Sequence, residues 1–276
     1  MRYARPQTLP EAIALLGAGT ARVLAGGTDL YPATQAQELA GDVLDLTAIP
    51  ALAGISEDGA GLRIGAATTW STIAETPLPP ALHALQQAAL QVGGRQIQNA
   101  GTIGGNLCNA SPAADGVPPL LALDARLGIA GPAGSRTLPL SDFLLGPRRT
   151  ALVAGEILTD IRIPSAALTG RSAFVKLGAR AHLVISIAMA AANITLDGSR
   201  IGLARLAVGA CGPVASRLPE LEKDLTGHSL RDAAAMITEG TLAIRLSPID
   251  DIRATAGYRL TAAAELLRRA VLGCAP

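Results

Sequence analysis

Residues 102–115 read TIGGNLCNASPAAD, and within this one stretch fall a glycine pair, a run of hydroxyl and amide side chains and a single carboxylate. Gly104 and Gly105 carry no Cβ and can expose backbone amides, Thr102 and Ser111 can hydrogen-bond a phosphate or a ribose, Asn106 and Asn109 can pin the segment, and Asp115 can accept from ribose hydroxyls. A self-satisfied polar turn leaves unexplained why so many hydrogen-bonding groups gather here. The whole glycine-rich stretch from Gly93 to Asp115 is therefore expected as a loop built around a ligand, since its alternating small and apolar residues argue against disorder.

A second glycine pair lies upstream in AGGTDL, Ala25 to Leu30, between the strand-like ARVLA (21–25) and an apparently helical segment after Leu30. Successive amides around Gly26 and Gly27 can point at an anion while Thr28 adds a hydroxyl donor. Taken alone this segment reads better as a tight turn, with Thr28 or Asp29 capping the next helix. Other nucleotide motifs are missing. The two lysines, Lys176 and Lys223, follow no glycine-rich loop, so there is no Walker phosphate loop. The nearest approach to GxGxxG, Gly17-Ala18-Gly19, ends at Arg22 and precedes the first strand instead of following it.

The chain has 276 residues, 49% of them hydrophobic and 16% charged, enough for an ample core in one large or two modest domains. Its 23 basic and 22 acidic residues leave a net charge of +1, which gives no electrostatic footprint for nucleic acid. The longest nearly apolar run, Leu183 to Ile194, is shorter than the ~20 residues of a membrane span, and Pro6, Pro10 and Glu11 interrupt any export signal. A soluble, cytoplasmic protein is expected. Cys108, Cys211 and Cys274 suit neither a disulfide framework nor a zinc site and cannot ligate an iron–sulfur cluster. His83, His182 and His228 show no metal or hydrolase spacing.

Along the chain, Thr8 and Glu11 form a capping box for a short helix that stops at Gly17 and Gly19. Strands are expected at 21–25 and Val43–Leu46, and a hairpin from Leu52–Ile55 to Leu62–Ile64 around EDGAG. Helical pattern runs from Trp70 to Gln91 with a break at Pro77, Pro79 and Pro80, and strand-like runs return at Ala125–Ala130 and Ile157–Ile163. After a boundary at Pro164 and Ser165, strands at Ala173–Leu177, Leu183–Leu196 and Ile201–Val208 precede helices at Leu218–Leu225, Leu230–Leu246 and Ala254–Leu272. Strands followed by helices suggest a separate α+β unit.

AGGTDL and TIGGNLCNASPAAD together resemble the FAD-binding medium subunit of the molybdenum hydroxylases, the family of xanthine and carbon monoxide dehydrogenases. Glu156-Ile157-Leu158 leading to Ile163-Pro164, Phe174-Val175-Lys176, Gly212-Pro213-Val214 with Arg217, and Asp250-Asp251-Ile252-Arg253 before Tyr258-Arg259 agree in the same order. The resemblance implies an α+β fold. A two-lobed FAD-binding domain of the vanillyl-alcohol-oxidase (PCMH) type would span 1–165, with a small lobe at 1–60 and a larger one at 61–165. A C-terminal α+β domain would follow at 170–276. It implies that Ala25, Gly26, Gly27, Thr28, Asp29 and Leu30, joined by Thr102, Gly104, Gly105 and Asn106, hold the diphosphate region of non-covalent FAD, with Leu24 and Asn109 also binding the cofactor. Asp115 would bind ribityl or ribose hydroxyls, Ile157 or Leu158 would pack near the adenine, and Lys176 would approach the flavin end.

It further implies an electron-transfer subunit, with no catalytic acid or base of its own. A small [2Fe–2S] subunit and a large molybdopterin subunit would be its partners, in a dimer of heterotrimers, with NAD or quinone as the external acceptor. Between Gly178 and Ser186 the sequence GARAHLVIS lacks the acidic residue that many relatives carry after the arginine, on the loop expected to border the flavin ring. A self-contained flavin oxidase or reductase and a non-catalytic assembly subunit are the alternatives. Arg148-Arg149 and Arg268-Arg269 read as solvated charge or docking surface.

Overall fold

The computed structural model describes every residue except Met1, Thr20 and 35–38. A short strand β1 (Tyr3–Ala4), helix α1 (Leu9–Gly17) and strands β2 (Arg22–Leu24) and β3 (Val43–Asp45) open the chain, and the strands form a parallel sheet in the order β1-β3-β2. The Thr8 hydroxyl accepts from the Glu11 amide as expected, while the Glu11 carboxylate reaches back to the Gln7 amide at 3.0 Å. After Leu30 there is only a helical turn, with Tyr31 N–H bonded to Gly27 O and Ala33 N–H to Asp29 O. The rest of the helix expected there falls partly on 35–38, outside the described residues.

The middle of the chain contains β4 (Ile55–Asp58), β5 (Gly61–Gly65), α2 (Trp70–Glu75), α3 (His83–Gln91), α4 (Arg95–Ala100), α5 (Ile103–Asn109) and α6 (Val117–Ala122). It continues through β6 (Arg126–Gly131), β7 (Gly134–Pro139), α7 (Leu140–Phe143), β8 (Leu144–Gly146), β9 (Arg149–Thr150) and β10 (Ile157–Pro164). Five of these strands make an antiparallel sheet in the order β4-β5-β10-β6-β7. The first hairpin is displaced from its expected place. Leu52 closes a 3-10 turn that Pro50 begins, so pairing starts at Ile55 opposite Ile64 and runs out to Asp58 opposite Gly61.

The expected loop from Gly93 to Asp115 is a larger departure, because it folds as α4 and α5. Thr102 is the reason for the second helix: its hydroxyl accepts from the Gly105 amide at 3.0 Å, a side-chain cap that outweighs the poor helix propensity of the two glycines.

The last part holds β11 (Arg171–Leu177), β12 (Ala188–Asp197), β13 (Arg200–Gly209), β14 (Ser216–Arg217), α8 (Pro219–Leu225), α9 (Leu230–Met236), α10 (Glu239–Ala243) and α11 (Ala256–Leu272), with an antiparallel sheet β11-β12-β13-β14. Strands precede helices, as the α+β reading requires. The single helix expected over Leu230–Leu246 is two, because Thr238 and Thr241 form a reciprocal capping box that starts α10. The strand expected from Leu183 begins only at Ala188, since Leu183 sits at φ +52, outside the extended region.

The five-stranded and the four-stranded sheet each have a core. One gathers Ile64, Trp70, Leu107, Leu120, Phe143 and Ile161; the other gathers Ile194, Leu206, Leu221, Leu267 and Val271. β12 is buried from Ala188 to Ile194, and its run of alanines lets α11 lie on one face while α3 and α6 approach the other. Small residues there permit close packing on both sides. A further cluster of Ala12, Leu44, Leu46, Ile49, Leu52 and Ile157 fastens the N-terminal parallel sheet to the start of β10.

Candidate functional site

Both glycine segments line one cavity of about 820 Å³, inside the range of about 300–1,000 Å³ usual for small-molecule sites. The loop after β2, Ile97 of α4, α5 from Gly104 to Asn109, the start of β10 and residues 183–185 all contribute to its lining.

The first segment is a set of bare donors. Among the described residues, no amide from Ala25 to Leu30 donates to a protein acceptor. The glycines let this loop exist. A Cβ on Gly26 would lie 1.9 Å from the Ala100 carbonyl oxygen, and Gly27 has φ +70 with the Tyr31 ring against the vacant Cβ position.

The second segment behaves differently. The Ile103 amide donates to Thr68 O at 3.0 Å, Gly104 to Ala66 O at 2.8 Å, Gly105 to the Thr102 hydroxyl at 3.0 Å and Asn106 to Thr102 O at 3.0 Å. The expectation that Gly104 and Gly105 expose free amides is therefore corrected. A Cβ on Gly104 would meet Ala66 O at 2.5 Å, so this glycine admits neighbouring backbone. What the segment offers the cavity is side-chain chemistry. The Thr102 hydroxyl proton has no protein acceptor among the described residues, and Asn106 Oδ1 is buried with no partner. Asn109 Nδ2 donates to Asp29 Oδ1 at 2.8 Å and so ties the two segments together.

Leu24, Asp115, Ile157 and Leu158 also lie on the cavity wall. Lys176 does not. It is buried behind Asp115, with Nζ 2.6 Å from Asp115 Oδ2 and 3.3 Å from Gln91 O, while the Ser186 hydroxyl donates to Asp115 Oδ1 at 2.6 Å. Both carboxylate oxygens are thus engaged, and burial raises the Asp115 pKa above the ordinary range against the pull of Lys176 and Ser186.

Cys108 is exposed on the wall, yet the surrounding protein desolvates its thiol and pushes it up to about 12. So little thiolate at neutral pH disfavours a covalent bond to a ligand. Leu183 and Ile185, on the 178–186 segment expected to border the flavin ring, also line the cavity. Sequence reasoning missed other parts of the lining, including Leu46, Leu52, Trp70, Ile97 and Arg148, which no local pattern marks because they come from separate elements.

A flavin dinucleotide fits this wall: bare amides and a free hydroxyl proton suit a diphosphate, an orphan amide oxygen suits a sugar hydroxyl, and the apolar lining suits flat rings. Among the described residues, no group of three or more His, Cys, Asp or Glu side chains could hold a metal ion, and no helix is long and apolar enough to cross a membrane.

Comparison with known proteins agrees. Residues 1–166 match the family model described as the FAD binding domain in molybdopterin dehydrogenase, and residues 173–274 match the CO dehydrogenase flavoprotein C-terminal domain. The carbon monoxide dehydrogenase medium chain of Hydrogenophaga pseudoflava is 32% identical over 98% of this chain and 95% of its own length. A putative xanthine dehydrogenase FAD-binding subunit of Escherichia coli K12 is 35% identical over 94% of this chain and 90% of that one. Among solved structures, carbon monoxide dehydrogenase from Hydrogenophaga pseudoflava superposes with a TM-score of 0.90 at 30% identity, covering 99% of this chain and 96% of the other. Quinoline 2-oxidoreductase from Pseudomonas putida 86 gives 0.88 at 28% identity, covering 99% and 96%.

Proposed function

The chain belongs to the FAD-binding medium subunits of the molybdenum hydroxylase family of oxidoreductases, and from that premise we propose that it is the electron-transfer subunit of a larger complex. It stands between the [2Fe–2S] clusters of a small partner subunit and an external acceptor, NAD or quinone, with the molybdenum cofactor on a large partner subunit. A dimer of such heterotrimers in the cytoplasm is the assembly we infer; the three free cysteines suit a reducing compartment.

The observation that carries the reading is the row of amides from Ala25 to Leu30, without acceptors among the described residues, on the wall of a cavity that the second glycine segment shares. In this reading those amides and the Thr28 and Thr102 hydroxyls hold the diphosphate, and no lysine is needed to neutralise it. Asn106 and Asp115 take the sugar and ribityl hydroxyls, and Ile157 and Leu158 lie beside the adenine. The flavin supplies the redox chemistry when bound; the protein supplies binding, orientation and electrostatics.

Lys176 acts indirectly. Its ammonium is neutralised by Asp115, so it holds that carboxylate in place and contributes little free positive charge to the ring.

The test is direct. The full chain, purified and titrated with FAD, is expected to quench flavin fluorescence with one site per chain. Failure to take up FAD at micromolar concentrations would overturn the proposal.

A further inference from the structure

Arg148 and Arg149 are neighbours in sequence and both exposed, but of the two Arg148 lines the cavity. Arg148 sits at φ +59, a conformation that favours glycine, and its amide donates at 2.9 Å to the carbonyl of Ala110, itself at φ +47. Its Nη1 donates to the Asn109 carbonyl at 3.3 Å and to Asn109 Oδ1. Asn109 in turn donates to Asp29 in the first glycine segment. Among the described residues, Nε and Nη2 of Arg148 have no protein acceptor.

The charges on the cavity wall sharpen the point. Among the described residues they are Asp29, Asp115, Arg148 and Glu156. Asp115 is paired with Lys176, and Glu156 is held by both Nε and Nη2 of Arg136 at 2.7 Å. Asp29 and Arg148 remain, with one asparagine side chain between them. A dianionic diphosphate would meet the Asp29 carboxylate with only amide dipoles to offset it were Arg148 absent.

We propose that Arg148 is a diphosphate-binding residue, whose free guanidinium edge supplies the full positive charge that the first glycine segment lacks. This rests on the FAD reading above. A guanidinium presents two parallel donors to phosphate oxygens and stays protonated throughout the working pH range. It also accounts for an arginine at a backbone position where glycine would be unstrained, since strain of this kind gathers at functional sites.

The test is FAD titration of the full chain at low and high salt, for wild type, Arg148→Gly and Arg148→Lys, with thermal midpoints measured in parallel. Arg148→Gly removes the charge and relaxes the backbone. It is expected to keep or raise the midpoint, to weaken FAD binding roughly tenfold to a hundredfold, and to flatten the salt dependence. Arg148→Lys is expected to regain part of the affinity and most of the salt dependence. Affinity of Arg148→Gly within twofold of wild type overturns the assignment. So does a loss of affinity with an unchanged salt slope, which would mean that Arg148 acts through the shape of the hairpin. Wild-type chain that binds no FAD overturns the FAD reading itself, a distinct outcome.

Discussion

The two glycine pairs look alike as strings of letters and do opposite things as structure. At Gly26-Gly27 the glycines free the backbone, so that a row of amides is left without acceptors among the described residues. At Gly104-Gly105 they let the backbone be consumed: every amide of the first turn of α5 is bonded, and Gly104 admits the Ala66 carbonyl where a side chain would stand. The first pair makes a binding surface; the second makes a buttress on which Thr102, Asn106 and Asn109 are mounted. A Gly-Gly dipeptide therefore signals close approach, and only the surroundings say whether a ligand or the protein does the approaching.

Substitutions can break this contrast. The largest effect is expected from Gly104→Val, whose branched side chain would drive into the Ala66 backbone. It should cost about 3 kcal/mol and lower the thermal midpoint by on the order of 10 °C. Gly26→Val should abolish FAD binding and lower the midpoint as well, because its Cβ would lie 1.9 Å from the Ala100 carbonyl oxygen. If Gly104→Val proved folded and merely colourless, the second pair would be a ligand cradle too.

Lys176→Met comes next, at about 3 kcal/mol, because it leaves the Asp115 carboxylate buried without its ion pair. The double variant Asp115→Asn, Lys176→Met should recover most of that stability in urea unfolding while FAD affinity stays low; no recovery would mean that the lysine matters for its own sake.

A subtler pair compares the two threonines. Thr102→Val removes the α5 cap and should cost about 1 kcal/mol as well as weakening FAD. Thr28→Val, whose hydroxyl makes no protein hydrogen bond among the described residues, should leave the midpoint unchanged and weaken FAD by several-fold. Equal stability losses would erase the distinction between donor surface and buttress.

The smallest effect concerns what holds the segment that carries Leu183 to Ile185 into the cavity lining. Arg259, nearly fully buried, donates to Ile187 O at the end of the 183–187 segment and to Asp251 at 2.6 Å. The Arg253 amide and the Arg259 guanidinium together hold the Asp251 carboxyl at about 2, below its ordinary 3.8. A depressed carboxyl stabilises the fold above its unfolded pKa, and that contribution disappears as pH falls from about 4 toward 2. Asp251→Asn should therefore lower the midpoint modestly at pH 7 and not at all near pH 2. A difference that persisted at pH 2 would show that the Asp251 shape, and not its charge, secures the wall.

Much of this molecule is legible in local patterns. Thr8 and Glu11 mark α1, the Pro77 to Pro80 cluster separates α2 from α3, and the strands-then-helices order after Pro164 is plain. Capping by a residue with a second role is not legible: Thr102 reads as a ligand donor and is first a helix cap, and Thr238 divides what periodicity alone would join. Leu183 resembled strand because its neighbours are apolar, yet those apolar side chains line the cavity instead of a sheet.

The amino-acid order by itself determined the two glycine segments, the alternation of elements, the absence of a Walker or Rossmann loop and the family to which the chain belongs. Only the tertiary structure decided which amides stay free, that Asp115 spends its oxygens on Lys176 and Ser186, and that one of two adjacent arginines reaches the cavity. The physical reason is that helix caps and turns are settled within a few residues. Whether a donor remains available depends on acceptors such as Ala66 and Thr68, which lie far along the chain and meet it only once the fold has closed.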